Sequence, residues 1–146
     1  MYKPKALKLF HKAEMLENQG KLTEAILEYK KAIKIEKNFF EAFNNLANSL
    51  RLKKRFKEAT DAYKNALAIN PTLQVTVLNL ANTLSELGQF KEALEFYERA
   101  ISLNPTQAKP YLDRSLSYYH SNSFEDSLKD IDQYLSLKPD DPSAHL

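Results

Sequence analysis

Cysteine is absent from the 146-residue chain, which excludes a disulfide framework and any thiolate metal site. Glycine occurs only twice, too seldom for a β-rich fold built on tight turns. No window approaches the roughly 18 to 20 apolar residues that a membrane span requires, so membrane insertion is not expected. The opening run Met-Tyr-Lys-Pro-Lys-Ala-Leu-Lys-Leu-Phe-His-Lys is basic but interrupted by charge, and it lacks the apolar core of a signal peptide. A dominant charge sign is missing too. The 21 basic and 19 acidic side chains leave a formal net charge of +2, which gives no bias toward nucleic acid or anionic lipid. The expectation is a soluble cytoplasmic protein of one ordinary domain.

What is present is repetition. Residues 40–73 laid over residues 74–107, a shift of 34, give 14 identities without a gap. The pairs include Asn45 with Asn79, Leu46 with Leu80, Ala47 with Ala81, and Asn48 with Asn82. Phe56 with Phe90, Ala59 with Ala93, Tyr63 with Tyr97, Ala66 with Ala100 and Pro71 with Pro105 follow. The period extends outward: Ala25, Ala59, Ala93 and Ser127 are each 34 apart, as are Leu22, Phe56, Phe90 and Phe124. Such a period marks stacked supersecondary units. The units are read at 6–39, 40–73, 74–107 and 108–141, after a lead-in at 1–5.

Each unit divides into two helical patterns. In the third, Val77, Leu80, Ala81 and Leu84 recur at helical spacing before Glu-Leu-Gly-Gln interrupts them. Phe90, Ala93, Leu94, Tyr97, Ala100 and Ile101 form a second apolar stripe. Gly88 suits a helix C-terminal position with positive φ, and Gly20 is its equivalent in the first unit. Proline after the second helix forbids continuation. Alanines on both helices allow close approach, and a hairpin buries its faces only by stacking on another.

The 34-residue period, the alanine–tyrosine–alanine order on the second helix and the closing proline resemble the tetratricopeptide repeat family over about residues 6–141. The fold class expected is therefore all-α, an α-solenoid of four tandem helix-turn-helix repeats. The resemblance implies a right-handed superhelix whose first helices line a concave groove that holds a protein or peptide ligand. The fourth unit departs from the pattern, with Ser115 and Ser127 in place of alanines, Ile131 in place of tyrosine and Tyr134 at a small-residue position. Residues 142–146 read as the start of a further helix. The expectation drawn from this is a chain cut from a longer repeat protein, or an uncapped end that self-associates.

Positions between the core stripes of the first helices give the groove rows: His11, Asn45, Asn79, Asp113; Glu14, Asn48, Asn82, Leu116; and Phe10, Asn44, Leu78, Leu112. An asparagine carboxamide both donates and accepts, matching a peptide unit. Asn45 and Asn79 are similar to the asparagine ladder in the repeat domain of O-linked N-acetylglucosamine transferase, although His11 and Asp113 break it. The expected contacts are Asn44, Asn45, Asn48, Leu78, Asn79, Asn82, Lys109, Leu112 and Asp113. A carboxylate clamp like that of chaperone-binding members is not matched. Of its five places, Asn48, Asn79 and Lys109 agree, Asn44 replaces a lysine, and Asp113 replaces an arginine and would repel the carboxylate.

His11, His120 and His145 lack ligand spacing. No phosphate loop or nucleophile elbow occurs. Glu24, Glu58 and Glu92 fall in first turns, where the helix dipole accounts for them. The run Arg51-Leu52-Lys53-Lys54-Arg55-Phe56-Lys57 reads as a solvated turn. No catalytic residue, metal or cofactor is expected. The functional expectation is a non-catalytic scaffold or adaptor that binds an extended segment of a partner. The competing expectations are a substrate-recruiting module of a larger enzyme, such as a glycosyltransferase, and a self-assembling scaffold.

Overall fold

A computed structural model describes residues 1–138, and the expected further helix at 142–146 lies outside the described residues. Among these residues the chain is all helical, with eight α-helices and no strand. In order they are α1 (Pro4–Asn18), α2 (Leu22–Ile35), α3 (Phe40–Leu52), α4 (Phe56–Ile69), α5 (Gln74–Glu86), α6 (Phe90–Leu103), α7 (Lys109–His120) and α8 (Phe124–Leu137). The chain divides into two compact units, one covering Met1–Thr76 and the other running from Val77.

In the first unit α1 packs on α2, α2 on α3, and α3 on α4. Its core is small residues around large rings. Ala6, Ala13, Ala25, Ala32, Ala42, Ala47, Ala59 and Ala66 are fully buried, and so are Tyr29 and Tyr63. At the N-terminal end an aromatic cluster closes the core. Tyr2 stacks on Phe39 with ring centroids 4.1 Å apart, and Phe10 lies 4.8 Å from Phe39 and 5.7 Å from Tyr29. In the second unit α7 packs on α8 and α6 on α7. Buried there are Leu80, Ala81, Leu84, Ala93, Tyr97, Ala100 and Tyr134.

One turn, used four times, sets the hairpin geometry. The expected positive φ is found at Gly20 (77°) and Gly88 (75°), and the same conformation is held by Lys54 (61°) and Asn122 (66°). These four positions are 34 residues apart. After each, the next amide donates back five residues: Lys21 to Leu16, Arg55 to Leu50, Gln89 to Leu84 and Ser123 to Tyr118, at 2.8–2.9 Å. The left-handed residue's own amide bonds the carbonyl three residues earlier in every case. This paired pattern ends the first helix by satisfying its last carbonyls. The residue that closes it is also the N-cap of the second helix, which starts with no side-chain cap.

Lysine gains nothing from the left-handed region, where a Cβ costs about 1–2 kcal/mol. Lys54→Gly is expected to stabilise the protein by about 0.5–1 kcal/mol after the glycine's unfolded-state entropy is deducted. Gly88→Ala, whose new Cβ would meet nothing within 4 Å, is expected to cost about 1 kcal/mol through the backbone alone. Urea denaturation of the two variants checks both signs.

Candidate functional site

Of the first-unit residues in the expected rows, Phe10, Glu14, Asn44 and Asn45 line one cleft, whereas His11 and Asn48 do not. It encloses about 560 Å³ and is lined by Phe10 and Glu14 of α1, Phe40, Glu41, Asn44 and Asn45 of α3, and the segment Thr72–Thr76 that leads into α5. Asn44 and Asn45 both reach this cleft from α3. Asn44 Oδ1 accepts from Thr76 Oγ1 at 2.7 Å, and Asn44 Nδ2 donates to Asn45 Oδ1 at 3.4 Å. Asn45 also bonds the Tyr29 hydroxyl. The amides are thus oriented from within, and each carboxamide keeps further donor and acceptor capacity.

Asn48 and Asn82 hold a different position in the economy of the fold. The Tyr63 hydroxyl donates to Asn48 Oδ1, and the Tyr97 hydroxyl to Asn82 Oδ1, each at 2.5 Å. A buried phenol without an acceptor would cost about 1–3 kcal/mol, so internal satisfaction explains why these asparagines recur. A signal for this was present in the sequence. Asparagine and tyrosine are paired 15 residues apart in both central units, whereas the fourth unit has Leu116 and Ile131 at those places. Where the hydroxyl is absent, the amide is absent too. In the first unit Tyr29 donates to Glu17 at 2.8 Å instead.

Leu78 is buried, with 5% of its surface exposed, so it offers a ligand almost nothing. This corrects its expected place as a groove contact: the helix turns that position inward. Asn79 and Leu112 are half-buried. Asp113, one of the expected contacts, accepts from Lys109 at 2.6 Å and from Asn82 at 3.0 Å. The second-unit row is therefore charge-compensated. Phe40, Glu41, Leu73 and Val75 were missed because they belong to helix starts and a connection rather than to the helical rows.

Elsewhere the charges are locally engaged. Arg55 holds Glu58 at 2.6 Å, lowering the carboxyl's pKa, and Lys53 donates to Thr23 at 2.8 Å. Arg114 makes a two-point pair with Asp130, both bonds 2.7 Å, and the carboxylate is 7% exposed. Lys12 lies 3.7 Å from buried Glu28 at the same place in the first hairpin. The central hairpins hold Leu46 with Ala62 and Leu80 with Phe96 there. Among the described residues no group of three or more His, Asp or Glu could hold a metal ion, and no helix is long and apolar enough to cross a membrane.

Burial pushes Tyr63 up to about 12 and raises Tyr97 as well. Tyr29 is raised by burial and then by its bond to Glu17. Burial, followed by the bond to Glu41, raises Tyr2 to about 12.

Models of the tetratricopeptide repeat match residues 80–146 and 38–106, and a TPR repeat model matches 16–50; together they span 16–146. No curated protein gives a significant match. Among solved structures, MamA 41-end from Desulfovibrio magneticus RS-1 is 20% identical with a TM-score of 0.92, over 99% of this chain and 82% of that one. A crystal structure of MamA is 22% identical with a TM-score of 0.87, over 92% and 78% of the two chains. A tetratricopeptide repeat protein from Parabacteroides merdae ATCC 43184 is 23% identical with a TM-score of 0.88, over 97% and 57%. At these identities the likeness establishes the fold.

Two outcomes follow from the site's internal chemistry. A phenol whose folded pKa is raised stabilises the fold fully below its unfolded value near 10, and that contribution is lost as pH rises through the folded value. The melting temperature should therefore fall between about pH 10 and 12, and Tyr63→Phe should flatten the slope. Removing one partner of the Arg114–Asp130 pair, as in Asp130→Ala, should cost about 3 kcal/mol. The double change Arg114→Leu with Asp130→Ala, which copies the second hairpin, should recover most of it in urea denaturation.

Proposed function

Because the chain belongs to the tetratricopeptide repeat family, we propose that it is a non-catalytic scaffold whose first-helix faces take an extended segment of a partner protein. The observation that carries this reading is the first-unit cleft. Its amides, hydroxyls and apolar edges are chemistry suited to a peptide backbone with side chains on either side. Phe40 and Leu73 are half-buried, and Val75 is 64% exposed, so apolar surface remains for a ligand to cover. In the second unit Asn79, Asn82, Lys109, Leu112 and Asp113 supply a more polar face, with charge already balanced. Cytoplasmic residence belongs to the same reading.

The asparagines act through placement rather than number. Asn44 and Asn45 are the preferred peptide contacts, while Asn48 and Asn82 chiefly hold their tyrosines. A protein captured by the intact chain supplies the ligand for measurement. Losing about one hydrogen bond and the Val75 contact, in Asn45→Ala with Val75→Ser, should weaken that ligand about tenfold. Leu27→Ser, at an exposed position of α2 outside the cleft lining, should leave affinity unchanged. Calorimetric titration of the three proteins distinguishes these outcomes, and equal affinities throughout would reject the cleft as the binding site.

A further inference from the structure

The charge of the first-unit cleft is one-sided. Glu14 and Glu41 line it, and among its lining residues there is no lysine or arginine. This is notable on so lysine-rich a helix as α1. Lys5, Lys8 and Lys12 fall on the side of α1 away from Phe10 and Glu14 at 100° per residue, so the cations of that helix are turned from the cleft. Glu14 is 43% exposed and meets the exposed His11 imidazole at 3.0 Å. Glu41 accepts from the Tyr2 hydroxyl at 2.6 Å, a bond that fixes the carboxylate without neutralising it. The second unit supplies the contrast, since its Asp113 carries its own cation in Lys109.

The apolar members of the lining flank this charge. Phe10 and Phe40 come from the helices that carry Glu14 and Glu41, Leu73 comes from the connection before α5, and Val75 from the first turn of α5. A long aliphatic stem ending in a cation matches such a lining, because the stem covers apolar surface while the head reaches a carboxylate. An acidic or phosphorylated segment would meet repulsion instead.

We propose that this cleft selects a partner segment carrying a lysine or arginine beside an apolar residue, with Glu14 and Glu41 receiving the cationic head. The inference rests on the peptide-binding reading of the same cleft and adds the ligand's charge. Neither charge balance nor composition of the whole chain reveals it, since the net charge is positive.

The test uses the full chain, labelled with nitrogen-15, and three acetylated, amidated peptides of sequence Gly-Ser-Leu-X-Leu-Ser-Gly with X as Arg, Gln or Glu. Amide shifts are followed by NMR titration at 50 and 300 mM salt. Expected are shifts at Glu14, Glu41, Asn44 and Asn45, with the Arg peptide about fivefold tighter than the Gln peptide and the Glu peptide weakest. High salt should narrow the gap. Glu14→Gln and Glu41→Gln, which keep side-chain shape and an oxygen acceptor, should each weaken the Arg peptide about threefold and leave the Gln peptide unchanged. Equal binding of all three peptides at these residues would overturn the charge preference while leaving the peptide cleft intact. Shifts confined to other residues, or none, would overturn both. Shifts at the cleft that grow with protein concentration alone would assign it to a second copy of the chain and overturn the proposal.

Discussion

Three second helices each bury a tyrosine completely or nearly so, with Tyr29, Tyr63 and Tyr97 at 0–1% exposure. A ring of that size stabilises a hairpin by removing apolar surface from water, but its hydroxyl must find an acceptor inside. The neighbouring alanines follow from the first requirement, since only small residues let helices close around the ring. Asn48, Asn82 and Glu17 follow from the second. The same demand fixes which first-helix side chains are committed to the fold and which are left for a ligand.

The outer hairpins solve the packing problem differently. Where the central ones place Leu46 with Ala62 and Leu80 with Phe96, the first places Lys12 near Glu28 and the fourth pairs Arg114 with Asp130. A buried ion pair offsets desolvation only with good geometry, and the two-point Arg114 contact has it while the 3.7 Å Lys12 contact is looser. Glu28 is also approached by Lys31 at 3.1 Å, so its carboxylate is shared between two exposed cations. Charge at these places tolerates water in a way that Leu46 and Leu80 do not.

The two units also differ in what they offer a partner. In the first, a cleft lined by carboxylates, amides and apolar edges is bounded by α1, α3 and the segment leading into α5. In the second, Lys109, Asp113 and Asn82 are joined in one hydrogen-bonded chain. Repetition of the backbone therefore does not imply repetition of the site. A 34-residue period copies helix positions, but a single substitution in a row, such as Asp113 where the central units have asparagine, changes the electrostatics locally.

The period, the helical stripes and the turn glycines were legible in the sequence because they are local: each depends on residue size, helical spacing or φ within a few positions. All-helical hairpins and the positive φ of Gly20 and Gly88 followed from them. That Lys54 and Asn122 adopt the same conformation was legible only through the period, since their side chains do not demand it. Of the groove rows, Phe10, Glu14, Asn44 and Asn45 line the first-unit cleft. What the phase could not supply was competition among partners. Asn48 and Asn82 were drawn to buried hydroxyls 15 residues away, Asp113 to Lys109, and Leu78 into the interior. The cleft's apolar edge came from Leu73 and Val75, which no helical row contains. By itself the sequence determined the hairpins and their repetition. Only the tertiary structure decided which polar groups were already satisfied, because satisfaction depends on neighbours brought close by packing rather than by spacing along one helix.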